Sequence, residues 1–270
     1  MIFERITLNV KSREVYLDAY VADRRHFARD AVLIFPGGAY RMVCDEREGE
    51  PIALAYIAKG INAFVLHYSV GEKYQYPSHL TEASCALFYL KEHAEELGIN
   101  KDRIFAVGFS AGGHLAGSLA ILHKDPDVLD SLGIEPGVNR PCGAILSYPV
   151  VSALCHTHTE SFYYLSGKTF DEISDEQKRA LSLECNVDED SAPAFIWHTA
   201  EDEAVPVVGS LRLAEAYYNA KRPFTLRVYP YGQHGLGLSN EITAGENGEF
   251  IAPFADEWVD ASVKWMKTVK

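Results

Sequence analysis

The chain has 270 residues, of which 47% are hydrophobic, so it is long enough to bury a large core without a metal ion or disulfide framework. Its 38 acidic residues outnumber 25 Lys and Arg, and a formal net charge of −13 disfavours nucleic-acid binding, which needs a basic surface. No apolar run approaches the roughly 18 residues of a membrane helix, and five cysteines without metal-ligand spacing are typical of free thiols in a reducing compartment. We therefore expect one cytoplasmic domain, residues 1–270, without nucleic-acid or membrane partners.

Strand and helix patterns alternate along the chain. Period-two alternation at 6–10 and 15–21 predicts an antiparallel pair at one sheet edge. Nearly continuous apolar runs predict four strands covered on both faces, at 31–36, 61–68, 103–110 and 142–149, and two further runs predict strands at 192–200 and 223–230. Helical patterns lie at 51–59, 80–97, 111–122, 207–220 and 254–269. This order predicts an α/β fold with a mostly parallel central sheet of about eight strands, helices on both faces, and ligands at the carboxyl ends of the strands.

Residues 152–191 interrupt this alternation, because the segment is polar, only partly helical in pattern, and longer than most connections in compact domains. We expect a small cap-like insertion after the sixth strand, which covers the strand ends as part lid and part substrate wall. His156 and His158 lie within it and raise the alternative of a metal site. No third ligand accompanies them in the sequence, so we expect no metal.

The sequence GFSAG at 108–112 matches the pattern G-x-S-x-G, with an apolar strand before it and a helical pattern after it. A sharp strand-to-helix turn at the serine leaves no room for bulky residues two positions away, which explains the glycine on either side. Ser110 then projects above the sheet and is the candidate nucleophile. The next amide, of Ala111, lies at a helix N-terminus, where developing negative charge is favoured.

A nucleophilic serine needs a histidine that accepts its proton and a carboxylate that orients the histidine, here in the chain order serine, acid, histidine. His234 lies in a glycine-rich loop after the last predicted strand, where its imidazole can reach the serine. His198 lies within a strand pattern and is interpreted as a packing or supporting residue. Asp202 is the preferred acid because its short side chain precedes a proline by four residues, while Glu201 and Glu203 stay open as alternatives.

The third predicted strand ends in FPGGAY at 35–40. Two glycines at a strand end let the backbone bend until its amides face the nucleophile. We expect the amides of Gly38, Ala39 and Ala111 to form the oxyanion hole. Side chains predicted to contact the substrate are Tyr40, Tyr68, Phe109, Tyr148 and Val205.

These motifs together resemble the small acetyl-esterase branch of the α/β-hydrolases, which contains acetylxylan and feruloyl esterases and is close to the hormone-sensitive-lipase-like esterases. The resemblance spans roughly residues 30–240 and is carried by PGGAY, DRIFAVGFSAGGHLAG, SYPV, HTAEDEAVPVVGSLRLAEAY and GQHGLG. It implies a triad of Ser110, Asp202 and His234, and hydrolysis of a short acyl ester such as an acetyl group on a sugar or xylo-oligosaccharide. Pro36 stands where the lipase-like relatives carry the histidine of HGGG, which disfavours a long-chain lipid substrate.

The expected chemistry is acyl transfer in two steps, through an acyl-enzyme on Ser110 that water hydrolyses, and it needs no cofactor. The expected partner is a small-molecule ester, and the sequence leaves open whether the chain forms a homodimer. Two alternatives remain. A peptidase of the prolyl-oligopeptidase type shares this order of elements, although the propeller-sized domain is missing, and a catalytically silent binding module would keep the same fold.

Overall fold

A computed structural model describes residues 1–11, 13–22 and 27–270 of the chain. Eight strands form one sheet there: β1 (Ile2–Val10), β2 (Arg13–Val21), β3 (Arg29–Phe35), β4 (Asn62–His67), β5 (Ile99–Phe109), β6 (Gly143–Ser147), β7 (Ala194–Thr199) and β8 (Phe224–Tyr229). Their order across the sheet is β1-β2-β4-β3-β5-β6-β7-β8. Because β2 runs antiparallel to both of its neighbours and every other pair is parallel, the predicted mostly parallel sheet with an antiparallel edge is confirmed.

Helices lie between the strands and cover the sheet on both faces. They are α1 (Asp45–Glu48), α2 (Glu50–Ala58), α3 (Ser78–Glu92), α4 (Ala94–Leu97), α5 (Ser110–Ile121), α6 (Pro126–Leu132), α7 (Thr159–Ser166), α8 (Asp175–Leu181), α9 (Val208–Asn219) and α10 (Trp258–Met266). Short 3₁₀ turns occupy Leu183–Cys185 and Ala255–Glu257. No helix of the described ranges combines the length and the apolar character that crossing a bilayer requires.

The two faces of β3 show why the central strands are apolar throughout. Ala31, Leu33 and Phe35 join the core layer under α3, α5 and α9, whereas Val32 and Ile34 join the opposite layer under α2 and α10. All five side chains are fully buried. A strand covered by helices on both sides has no polar face, so its sequence loses the alternation of an edge strand.

Several element boundaries differ from the sequence prediction by a few residues, and three of them have a clear physical reason. The predicted helix 80–97 is two helices, since the pattern breaks at His93 between α3 and α4. Strand β5 begins at Ile99, four residues early, because Ile99 pairs with Arg29 although the residues that follow it are polar. Helix α10 begins at Trp258 and not at Phe254, whose φ of +73° lies outside the helical region.

Segment 152–191 contains α7, α8 and one 3₁₀ turn, and buried contacts hold it against the sheet layers. The Leu183 amide donates to the Val151 carbonyl at 3.0 Å, and the Leu181 carbonyl accepts from His114 Nε2 of α5 at 2.8 Å. Phe162, on the buried side of α7, is fully inaccessible to solvent. The segment thus has its own helices, which the sequence indicated only in part.

Candidate active site

Ser110 lies at the turn between β5 and α5, with its backbone in the left-handed region at φ +53°. The turn is tight on both sides. An ideal Cβ on Gly108 would lie 2.1 Å from the Gly112 carbonyl oxygen, and one on Gly112 would lie 2.1 Å from the Phe35 carbonyl oxygen. Only glycine fits at these two positions, so the local sequence forces the serine into a strained, projecting conformation.

Three loops bring Ser110, His234 and Asp202 together in one chain of hydrogen bonds. The Ser110 hydroxyl donates to His234 Nε2 at 2.8 Å, and His234 Nδ1 donates to Asp202 Oδ2 at 2.7 Å. Because Nδ1 carries the proton for Asp202, Nε2 is left as an acceptor, which is the tautomer that a general base needs. The side chains of Glu201 and Glu203, the alternative acids, are exposed.

The Asp202 carboxylate is buried and accepts four hydrogen bonds. Oδ1 accepts from the amides of Ala204 and Val205, and Oδ2 accepts from His234 and, at 3.2 Å, from His198 Nε2. Burial by itself raises the pKa of Asp202, but the hydrogen bonds from His198, His234 and the Val205 amide outweigh it and hold the pKa below its ordinary value. Asp202 therefore carries its charge at neutral pH, next to the Nδ1 proton of His234.

The loop after β3 places two backbone amides beside Ser110. Gly38 and Ala39 have φ of +122° and +57°, and an ideal Cβ on Gly38 would lie 2.2 Å from the Met42 carbonyl oxygen. The amides of Gly38 and Ala39 donate to no acceptor in the described ranges. Ala111 lies in the first turn of α5, where amides have no partner within the helix. This arrangement offers donors to a negatively charged oxygen.

A cleft of about 300 Å³ opens over Ser110, His234, Gly38 and Ala39. Its rim is polar and aromatic and includes Arg41, Arg47, His158, Glu160 and Phe250. Arg41 Nη1 pairs with Glu160 Oε1 at 3.0 Å, and the Arg47 guanidinium lies 4.0 Å from the centre of the Phe250 ring. His158 and Glu160 belong to segment 152–191, so this segment forms part of the rim.

The five side chains predicted to contact substrate are buried and do not line the cleft, and each residue is at most 4% exposed: Tyr40, Tyr68, Phe109, Tyr148 and Val205. Their polar atoms are used internally. The Tyr40 hydroxyl donates to His114 at 2.9 Å, the Tyr68 hydroxyl donates to the Pro36 carbonyl at 2.7 Å, and the Tyr148 hydroxyl is also hydrogen-bonded inside the protein. These side chains support the loops of the site, and the residues on the rim replace them as candidates for substrate contact.

No sequence pattern predicts that Glu48, Arg47, His158 and Glu160 line the cleft. Glu48 stands among other acidic residues in CDEREGE, and no periodicity separates the buried carboxylate from its exposed neighbours. His158 was considered only as a metal ligand, whereas its Nδ1 lies 2.9 Å from the Ser161 hydroxyl. In the described ranges, no group of three or more His, Cys, Asp or Glu side chains is arranged around a metal position.

Comparison with known proteins assigns this chain to a family. The BD-FAE family model matches residues 17–217. The chain is 38% identical over 229 residues to endo-1,4-beta-xylanase B of Butyrivibrio fibrisolvens, a match that covers 82% of this chain and 34% of that protein. This chain therefore spans about a third of the length of that relative.

Two solved structures match over nearly their whole length. An acetyl ester-xyloside bifunctional hydrolase from Caldicellulosiruptor lactoaceticus is 31% identical with a TM-score of 0.82, covering 95% of this chain and 89% of that one. MGS-M1, an alpha/beta hydrolase from a Medee basin deep-sea metagenome library, is 35% identical with a TM-score of 0.79, covering 99% and 98%. On this family match and these two structures, the chain belongs to the BD-FAE family and has the α/β-hydrolase fold.

Proposed function

We propose that the protein is a serine carboxylesterase that hydrolyses short acyl esters, with Ser110 as nucleophile, His234 as general base and Asp202 as the orienting acid. The observation that carries the proposal is the unbroken chain of hydrogen bonds from Asp202 through His234 to Ser110. The hydrogen bonds end at Ser110, which lies beside the amides of Gly38 and Ala39 in a cleft open to a small molecule.

The geometry supports acyl transfer in two steps. His234 Nε2 accepts the Ser110 proton as the hydroxyl oxygen attacks the ester carbonyl, and the amides of Gly38, Ala39 and Ala111 receive the oxyanion. His234 then returns the proton to the leaving alcohol. In the second step water attacks the acyl-enzyme by the same route and frees the serine. Asp202 stays charged throughout and stabilises the imidazolium.

We further propose an acetylated sugar as the substrate, because the size and chemistry of the cleft suit one. A volume of about 300 Å³ is at the lower end of small-molecule sites, which favours a short acyl group. Arg41, Arg47 and Glu160 offer hydrogen bonds to hydroxyl groups. A second hollow of about 500 Å³ shares Glu160 with the cleft and is lined by the rings of Tyr163, Tyr164 and Phe170. The names of the xylanase and xyloside-hydrolase relatives agree with a xylo-oligosaccharide.

A cytoplasmic location is also a proposal. All five cysteines are free, which is typical of proteins in a reducing compartment.

The test of the esterase proposal is a panel of p-nitrophenyl esters from acetyl to octanoyl together with acetylated xylo-oligosaccharides. We expect the wild-type protein to prefer acetyl esters and to release acetate from the oligosaccharides. Ser110→Ala should lower kcat by at least about 10³-fold, because the acyl-enzyme can no longer form. A fluorophosphonate probe should label the wild type and leave the variant unlabelled.

Circular dichroism and thermal melting serve as controls that the Ser110→Ala variant is folded. Turnover retained by the folded variant would refute Ser110 as nucleophile. Faster cleavage of a proline amide than of acetyl esters would favour the peptidase alternative, and folded wild-type protein that does not react with the probe would favour a silent binding module.

A further inference from the structure

Glu48 is a buried carboxylate that the proposed mechanism does not use. The residue is 2% exposed, lies at the end of α1 and borders the cleft beside Ser110. Its Oε2 accepts a hydrogen bond from the Gly37 amide at 2.8 Å, and its Oε1 accepts one from the Tyr148 hydroxyl at 2.8 Å. Gly37 immediately precedes the two amides of the proposed oxyanion hole. One oxygen of Glu48 is therefore bonded to the start of the oxyanion loop, residues 37–40.

The Tyr148 hydroxyl continues this connection to the loop that carries His234. It accepts a hydrogen bond from the Gly237 amide at 2.9 Å, three residues after the histidine. The Gly237 carbonyl in turn accepts from Trp258 Nε1 at 2.9 Å, which anchors the far side of the same loop to α10. The Tyr148 ring also contacts the imidazole of His234 edge to face, with centroids 5.0 Å apart and planes at 71°.

The fit around Gly37 is specific for this arrangement. An ideal Cβ at Gly37 would lie 2.6 Å from Glu48 Oε2 and 2.9 Å from the Ser110 Cβ. The backbone of the oxyanion loop is thus held between the carboxylate on one side and the nucleophile on the other. Loss of the carboxylate would open space next to Gly37 and remove the only hydrogen bond that its amide makes within the described ranges.

Keeping a carboxyl group in this position is unfavourable by itself. Burial raises the pKa of Glu48, which the hydrogen bonds from Tyr148 and Gly37 and the nearby His234 only partly offset. No Lys or Arg in the described ranges forms an ion pair with it within 4.0 Å. A buried carboxylate without a cation is costly unless its hydrogen bonds are needed, and the two that Glu48 accepts come from the oxyanion loop and from Tyr148.

We propose that Glu48 and Tyr148 form a positioning pair that fixes the oxyanion loop relative to the His234 loop. Glu48 holds Gly37, Tyr148 holds Gly237, and the hydrogen bond between their side chains joins the two. The proposal rests on the esterase function proposed above. The pair fixes the distance between the oxyanion-loop amides and the His234 imidazole, and this distance matters only if both act on one substrate. Both groups act in the transition state, so errors in their placement affect kcat more than KM.

The test compares Tyr148→Phe, Glu48→Gln and Glu48→Ala with the wild type in p-nitrophenyl acetate hydrolysis, with active sites counted by fluorophosphonate titration. We expect Tyr148→Phe and Glu48→Ala each to lower kcat by about 10- to 100-fold, with KM changed by less than about twofold. Glu48→Gln keeps an oxygen that can accept from the Gly37 amide, so it should recover part of the kcat lost in Glu48→Ala. The double variant Glu48→Ala/Tyr148→Phe should be no slower than the slower single variant, because both changes break the same connection.

Tyr56→Phe is the matched control. It also removes a buried tyrosine hydroxyl, but one that lies outside the site and forms a hydrogen bond of 2.8 Å with the Ser262 hydroxyl. This variant should keep the wild-type kcat. An equal loss of kcat in Tyr56→Phe, or wild-type kcat in both Tyr148→Phe and Glu48→Ala, would overturn the positioning role while leaving the esterase function in place. Wild-type protein without Ser110-dependent hydrolysis would instead refute the esterase proposal. If Glu48→Ala does not fold, Glu48→Gln and Tyr148→Phe decide the question.

Discussion

Three adjacent carboxylates follow β7, and their environments separate their roles. Asp202 is buried and accepts hydrogen bonds from two amides and from two histidines, one of which is the proposed general base. Glu203, the next residue, is exposed. His198 supports Asp202 from behind, because its Nε2 faces both the carboxylate and the Val205 carbonyl while its Nδ1 accepts from Ser210 at 2.8 Å.

We expect Asp202→Asn to lower kcat for acetyl esters by about 10⁴-fold, because an amide in this position no longer selects the His234 tautomer that accepts the serine proton. The control is Glu203→Gln, which removes a neighbouring charge and should change kcat by less than about twofold. Steady-state kinetics at pH 7 check both variants. Equal losses in the two would mean that the general negative potential of the turn matters, and not the contact with His234.

At the scale of elements, the site depends on how closely α5 approaches the end of β3. Gly112 lies in the first turn of α5, where the helix passes the Phe35 and Pro36 carbonyl groups, and an ideal Cβ there would lie 2.1 Å and 2.4 Å from their oxygens. These atoms are backbone and lead directly into the oxyanion loop, so they cannot move without moving the loop. Gly117, further along α5, differs in this respect, because its nearest neighbour is the end of the Leu183 side chain at 2.6 Å.

Gly112→Ala is therefore expected to destabilise the protein by about 3 kcal/mol or more and to reduce activity in the fraction that folds, since the helix and the oxyanion loop must separate. Gly117→Ala should cost much less, because a leucine side chain can change rotamer and alanine favours the helix. Urea unfolding of both variants measures the difference. Similar midpoints for the two would show that the contact at Gly112 is not as rigid as its geometry indicates.

At the scale of the whole molecule, several histidines are buried in the neutral form and link stability to pH. Burial lowers the pKa of His79 to about 3 and the pKa values of His114 and His123 to about 4. In the unfolded chain these groups titrate near 6.5, so between about pH 6.5 and 4 the unfolded state binds more protons than the folded state. The free energy of unfolding is therefore not reduced by these histidines above about pH 6.5, and it falls as the pH falls through this window.

His79 offers a direct measurement of this linkage. Both of its ring nitrogens lack hydrogen-bond partners in the described ranges, and its ring packs 4.7 Å from that of Tyr40. His79→Phe keeps an aromatic ring and removes the titration. The wild type is expected to lose about 2 kcal/mol more stability than His79→Phe between pH 7 and pH 5. Urea unfolding at the two pH values gives the difference, and parallel losses would show that His79 is protonated, or accessible to protons, in the folded state.

The sequence by itself determined the order of the strands and the candidate catalytic residues. Continuous apolar strands such as 31–36 can only be covered on both faces, and GFSAG at a strand-to-helix junction requires a sharp turn, so local patterns were enough for the α/β fold, for the sheet with its antiparallel edge and for the candidate triad. They also favoured Asp202 among three possible acids. They could not exclude Glu201 and Glu203, because that requires knowing which carboxylate contacts His234.

The tertiary structure alone decided which side chains face the cleft. Tyrosines such as Tyr40, Tyr68 and Tyr148 are typical of a binding surface. They are nevertheless buried, and their hydroxyl groups donate to His114, to the Pro36 carbonyl and to Glu48 inside the protein. The charged residues around Glu48 predict a solvent-exposed helix end, yet Glu48 is buried against Gly37. Burial and hydrogen-bond partners of loop residues depend on contacts between segments about 100 residues apart, such as Glu48 and Tyr148, and no local pattern carries that information.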